Sequence, residues 1–164
     1  MIPSIGFVGY SNSGKTTVVA ALIKILSQKG YRVAAIKHAS HGYDLDVPGK
    51  DSWQHFQAGA QKVIVVGPDA MSVHQHLERE PLLAEILATI ENVDLILIEG
   101  YKNEPGPKVE IVREKESPRV GLKGNLLAVV SDSPIPEEVP CFPSDQLDEL
   151  AEFLIANYFP DDRG

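Results

Sequence analysis

Short, almost entirely apolar segments alternate along the chain with longer segments whose apolar positions recur at helical spacing. The short segments predict buried strands, because a strand covered on both faces has no polar side to show. Expected strands span residues 2–9, 32–37, 62–66, 71–77 (an edge strand), 94–99, 109–112 and 126–130. Expected helices span residues 15–29, 51–58, 81–90 and 144–158, with Asp51 and Ser144 as N-caps of the second and fourth. The alternation predicts one three-layer α/β domain over residues 1–164, with a mostly parallel sheet flanked by helices.

A phosphate-binding motif lies between the first expected strand and the first expected helix. Residues 9–16 match G-x-x-x-x-G-K-[ST] at every fixed position. The glycines let the backbone curl so that its N–H groups meet phosphate oxygens, while the lysine reaches the β and γ phosphates and the threonine hydroxyl binds Mg²⁺. The expected phosphate-binding residues are Gly9, Ser11, Asn12, Ser13, Gly14, Lys15, Thr16 and Thr17. The fold is then a P-loop NTPase fold, against the alternative of a Gly-Ser turn with an incidental lysine.

Acidic residues that could complete a magnesium site follow two of the expected strands. Glu99 ends the apolar strand 94–99, where ligands bind in an open α/β sheet, so we expect it to bind Mg²⁺ and, with Lys15, to serve catalysis. The loop after the second strand contains Asp44, Asp46 and Asp51. Asp46 is favoured as a second metal ligand, with Asp51 as a helix cap and Asp44 in solvent as the alternatives.

The last expected strand leads to a carboxylate that could select the base. Asp132 could accept hydrogen bonds from N1 and N2 of guanine, a donor pattern that adenine does not present. Its place before Ser133-Pro134 is also typical of an ordinary turn. The residues favour GTP over ATP, and leave both open.

The charge and composition of the chain limit the classes of partner that it is expected to bind. With 15 Lys and Arg against 23 Asp and Glu, the formal charge of −8 opposes sequence-independent binding to nucleic acid or to an anionic membrane. One cysteine, no signal-peptide pattern at the start and no apolar run long enough to span a bilayer predict a soluble, cytoplasmic protein. A zinc site at His38 and His41, with His74 or His76, is disfavoured because no cysteine accompanies them.

One segment is basic although the chain is acidic. It contains Lys108, Arg113, Lys115, Arg119 and Lys123. A solvated hairpin is the simpler interpretation of these residues. The functional alternative is a basic rim that binds a phosphate group or an acidic partner.

Four segments together resemble a known family, over residues 2 to about 153. They are GYSNSGKTT, IKHASHGYDLDVPGKDSWQHFQAGA, DLILIEGYKNEPGPK and VVSDSP, and they are similar to the molybdopterin-guanine dinucleotide biosynthesis protein B family. The resemblance implies a homodimeric GTP-binding adapter with weak GTPase activity. It implies action beside the guanylyltransferase that couples GMP to molybdopterin, or in cofactor delivery. Carried onto this chain, it assigns phosphate and metal binding to residues 14–17, the Walker B position to Glu99, a second acid to Asp46 and the guanine contact to Asp132.

The residues also bear on whether the protein is an enzyme. No arginine finger or water-positioning group can be named from the sequence, so we expect slow intrinsic GTP hydrolysis at most. The rival is an ATP-dependent small-molecule kinase or a ligase of the dethiobiotin-synthase type, with a substrate pocket made by Lys37, His38 and Lys102. A homodimer is expected to form through the edge strand at residues 71–77.

Overall fold

A computed structural model describes residues 2–40, 42–44, 46–113, 119–122, 124–135 and 138–159. The strands are β1 (Ser4–Val8), β2 (Val33–Lys37), β3 (Lys62–Val66), β4 (Met71–Gln75), β5 (Leu95–Glu99), β6 (Pro107–Ile111), β7 (Asn125–Val130) and β8 (Cys141–Phe142). The helices are α1 (Lys15–Gln28), α2 (Asp51–Gln57), α3 (Leu83–Leu87) and α4 (Leu147–Tyr158). No helix in these described ranges is both long and apolar enough to cross a membrane.

The chain divides into two compact units. The first contains Met1–His38 and Leu83–Gly164, and the second contains Ala39–Leu82. Each unit has its own sheet. The expectation of one domain over residues 1–164 stays a prediction, and the units are described separately.

The first unit is built on a six-stranded sheet in the order β2-β5-β1-β6-β7-β8. Every neighbouring pair in it is parallel. The carboxyl ends of the strands therefore meet at one edge, which is where ligands bind in such sheets. This sheet and its helices confirm the predicted three-layer fold of the P-loop NTPase type.

Apolar side chains cover both faces of the central strands. Leu95 and Leu97 of β5 join a core cluster with Leu22 of α1 and Leu150 of α4. The alternating positions of β5 enter a second cluster that includes Leu83 of α3. Helices on both faces explain why β5 is apolar at nearly every position.

The second unit pairs β3 with β4 in an antiparallel, two-stranded sheet. Ile64 lies opposite Val73, and Val66 lies opposite Met71, so these four exposed side chains share one face. We call them the hairpin face. The strand expected at residues 71–77 is therefore real, and it pairs only with β3 in the described part of the chain.

Several predicted boundaries were wrong. The fourth helix begins at Leu147 with Gln146 as N-cap, so Ser144 does not cap it. Lys50, not Asp51, is the N-cap of α2. The third helix is half as long as expected, and the two-residue strand β8 was missed because so short a segment carries no periodic signal.

Candidate functional site

The P-loop connects β1 to α1 through two glycines that no other residue could replace without strain. A Cβ atom at position 9 would lie 2.5 Å from the carbonyl oxygen of Ile111. Gly14 has a φ of 94°, in the left-handed region, and is the N-cap of α1. No side chain of α1 caps this end, and its first turn contains no acidic residue. The helix therefore presents open N–H groups and its positive end to an anion.

Lys15 folds back over the same loop. Its ammonium donates hydrogen bonds to the carbonyl oxygens of Gly9, at 3.0 Å, and Tyr10, at 2.6 Å. Burial lowers the pKa of Lys15, the nearby Glu99 carboxylate opposes that shift, and the Lys37 ammonium adds to it. The ammonium is thus held beside the loop at the cost of part of its hydration.

Thr16, Glu99 and Lys37 form a second cluster at the carboxyl edge of the sheet. The Thr16 hydroxyl donates to Glu99 Oε1 over 2.8 Å. Lys37 Nζ lies 3.4 Å from Thr16 Oγ1 and 3.5 Å from Glu99 Oε1. Pairing of Lys37 with Glu99 in the β2–β5 register brings the two side chains together. Hydroxyl and carboxylate oxygens are hard donors of the kind that Mg²⁺ prefers, so this pair fits the metal.

Asp132 lies in the same cavity as the P-loop. The cavity measures about 890 Å³ and is lined by residues 11–18, 99, 111–113, 130–132, 144 and 147. The Ser144 backbone N–H donates to Asp132 Oδ1 over 2.7 Å. Hydrogen bonds from Ser144 lower the pKa of Asp132, so the carboxylate stays charged at neutral pH. Within the first unit, the structure thus brings the predicted site residues together around one cavity, with Gly9 in contact with Lys15 through its carbonyl oxygen.

Asp46 belongs to the second unit. Its carboxylate accepts hydrogen bonds from the Ser52 hydroxyl and the Val47 backbone N–H, and these lower its pKa, the hydroxyl most. Its predicted role as a metal ligand stays a prediction. Asp44 is exposed in the same unit.

The histidines occupy different settings. The rings of His38 and Tyr101 stack with centroids 4.3 Å apart, and those of His76 and Phe56 stack at 3.8 Å. His41 lies outside the described residues. Among the residues that are described, no group of three or more His, Cys, Asp or Glu side chains is arranged to hold a metal ion. These stacks were not predicted, since the partners are distant in sequence.

The described residues of the basic segment differ in their surroundings, and the expectation of a solvated side chain is wrong for Lys108. Lys108 is only 3% exposed. Arg119 Nη2 lies 2.6 Å from Oε2 of the buried Glu110. Arg113 Nη1 donates to the P-loop carbonyl oxygen of Asn12 over 3.1 Å. Lys115 and Lys123 lie outside the described residues.

Sequence reasoning missed these placements for a simple reason. The charged residues Lys108 and Glu110 alternate with the apolar Val109 and Ile111. That alternation is typical of a strand with one face in water. Here both faces of β6 are buried, and the charges are inside.

Comparison with known proteins identifies the family. The family model described as molybdopterin guanine dinucleotide synthesis protein B matches residues 4–132. The molybdopterin-guanine dinucleotide biosynthesis adapter protein of Escherichia coli is 33% identical over 162 residues, covering 94% of this chain and 93% of its own. The protein of the same description from Haemophilus influenzae is 32% identical over 156 residues, covering 93% of this chain and 88% of its own.

A solved structure agrees in fold. The crystal structure of Bacillus subtilis MobB superposes with a TM-score of 0.76 at 26% sequence identity, covering 96% of this chain and 98% of that one. The resemblance seen in the sequence motifs is thereby confirmed. The chain belongs to the molybdopterin guanine dinucleotide synthesis protein B family.

Proposed function

We propose that this protein binds GTP with Mg²⁺ and acts as an adapter in the synthesis of molybdopterin guanine dinucleotide. The observation that carries the proposal is the cavity that joins the P-loop to Asp132. Its volume is within the range of about 300–1,000 Å³ that is usual for small-molecule sites. The adapter role comes from the relatives, which carry that description.

The phosphates of GTP bind at the start of α1 in this proposal. Backbone N–H groups of the loop and the first helical turn donate to phosphate oxygens, and Lys15 moves from the carbonyl groups it now contacts to the β and γ phosphates. Thr16 and Glu99 hold Mg²⁺, directly or through water, with Asp46 as a further acid. Bound Mg²⁺ neutralises charge on the β and γ phosphates.

Guanine lies toward Asp132 in the same proposal. The carboxylate is held by Ser144 and remains charged, so it can accept from the N1 and N2 hydrogens of the base. Parallel titrations of GTP and ATP test this selectivity. We expect GTP to bind more tightly. Tighter ATP binding would favour the kinase or the dethiobiotin-synthase type of ligase.

Hydrolysis is expected to be slow. Lys15, with Mg²⁺, supplies part of the charge compensation that phosphoryl transfer needs, but no water-positioning group can be named from the sequence. We expect single-turnover GTP hydrolysis by the protein alone to stay below about one per second. Faster turnover would contradict the expectation of slow hydrolysis.

Self-association through the second unit completes the proposal. The hairpin face exposes four large apolar side chains on a sheet that has two strands in the described part of the chain. We propose that a second copy covers this face in a homodimer. Val73→Lys should yield a monomer in sedimentation, whereas Ser72→Lys, a matched charge on the opposite face of β4, should not. If the wild-type protein sediments as a monomer both with and without GTP, the proposed homodimer is wrong.

The remaining partners are the guanylyltransferase and molybdopterin, in the cytoplasm. Mass spectrometry of the natively purified protein should find a guanine nucleotide, and the guanylyltransferase should co-purify. Co-purification of adenine nucleotide alone would contradict the proposal.

A further inference from the structure

Arg113 makes a contact with the P-loop that the proposed function does not use. Both Arg113 and Lys15 donate hydrogen bonds to backbone carbonyl groups of the loop, Arg113 to Asn12 and Lys15 to Gly9 and Tyr10. Asn12 has a φ of 62°, in the left-handed region that asparagine tolerates better than most residues. The loop is thus contacted by two cations, one from α1 and one two residues after β6.

The backbone immediately before Arg113 is held in place by its neighbours. The N–H of Val112 donates to the carbonyl oxygen of Val130 over 2.9 Å, and the Val112 side chain is buried. The Ile111 carbonyl oxygen packs so close to Gly9 that a Cβ there would clash. Arg113 therefore projects from a segment that is fixed against both β7 and the loop.

Within the described part of the chain, the guanidinium uses little of its hydrogen-bonding capacity. Arginine has five N–H donors, and for Arg113 the described residues provide one hydrogen bond, to Asn12, and no ion pair. Arg113 also lines the cavity that contains Lys15 and Asp132. A planar guanidinium with free donors is the side chain best suited to phosphate oxygens.

We propose that Arg113 is a phosphate-binding residue of the nucleotide site. Anchored on the Asn12 carbonyl oxygen, it presents its remaining donors to the phosphate chain and adds a second fixed positive charge to that of Lys15. This inference rests on the proposed nucleotide binding and adds to it a residue outside the P-loop motif. The local charge matters because the chain as a whole is acidic, at −8.

The test is a titration of two ligands, GTP and inorganic tripolyphosphate, in Mg²⁺ buffer at two salt concentrations. Arg113→Gln removes the charge but keeps an N–H donor for the Asn12 carbonyl oxygen. We expect this variant to bind both ligands about tenfold or more weakly and to show a smaller salt dependence of binding. Arg113→Lys keeps the charge and should weaken both by less. Lys24→Gln makes the same charge change on an exposed residue of α1, and it should leave the affinities for both ligands within about twofold of the wild-type values.

Three outcomes would count against these ideas in distinguishable ways. Wild-type affinity of Arg113→Gln for both ligands would overturn the inference while nucleotide binding stands. Weaker GTP binding with unchanged tripolyphosphate binding would also overturn it, because the arginine would then contact the base or the ribose. Failure of the wild-type protein to bind either ligand would overturn the proposed function and this inference together.

Discussion

Replacing Arg119 by alanine should destabilise the protein strongly. Glu110 is 1% exposed and accepts three hydrogen bonds, two from Arg119, at 2.9 and 2.6 Å, and one from the Val120 backbone N–H, at 2.7 Å. Arg119→Ala removes two of them and leaves a buried carboxylate without its counter-charge. Removing one partner of a buried ion pair costs about 3–5 kcal/mol. For a chain of this size that corresponds to a melting temperature lower by about 6–20 °C.

Urea unfolding followed by far-ultraviolet circular dichroism measures this loss. Fluorescence is unsuitable, since the one tryptophan, Trp53, lies in the second unit. A double-mutant cycle with Glu110→Ala should give a coupling free energy of about 2 kcal/mol or more. Lys24→Ala, at an exposed position of α1, should change stability by less than about 0.5 kcal/mol. A loss below about 1 kcal/mol in Arg119→Ala, or a coupling energy near zero, would refute the reasoning.

Three further predictions concern single side chains. Lys108→Met should raise the free energy of unfolding by about 1 kcal/mol or more, because it removes a buried ammonium with no hydrogen bond among the described residues. Burial lowers the pKa of Lys108, so the folded protein loses this proton first, and the contribution of Lys108 to stability rises with pH up to about 10.5. The advantage of Lys108→Met in urea unfolding should therefore shrink as pH rises toward that value, and a constant advantage would be evidence against the buried charge. In calorimetry, Asp132→Asn should lower the affinity for GTP by about tenfold and raise the affinity for xanthosine triphosphate. An equal loss of affinity for GTP and ATP would argue against a contact with the base. Lys37→Met should lower the affinity for GTP by about tenfold and the affinity for GDP by less, because the Lys37 ammonium lies beside Thr16 and Glu99. An equal loss of affinity for both nucleotides would exclude a γ-phosphate contact.

Much of the fold and the site could be predicted from local sequence signals. The P-loop has fixed residues at fixed spacing, and Glu99 ends an apolar strand whose length and character are typical of a buried parallel strand. Each of these two signals is contained within a single short segment of the chain. The structure adds that Glu99 contacts Thr16, 83 residues away in the chain.

Features that depend on the choice of a distant partner could not be predicted in the same way. The sequence shows a charged alternation in β6, but only the tertiary structure reveals that Glu110 is buried against Arg119. Serine is a residue type that favours the N-cap position, yet the Ser144 backbone N–H donates a hydrogen bond to Asp132 and the helix begins three residues later. In both cases the same local pattern is compatible with two structures, and long-range packing selects one of them.

The central claim is that the P-loop of this chain binds the triphosphate of GTP together with Mg²⁺. Calorimetric titration of GTP into the wild-type protein and into the Lys15→Ala, Thr16→Ala double variant tests it most directly. We predict that the variant, folded as judged by circular dichroism, loses about 100-fold or more in affinity, because an ammonium contact and a metal ligand are removed together. Unchanged GTP affinity in the double variant would contradict the claim.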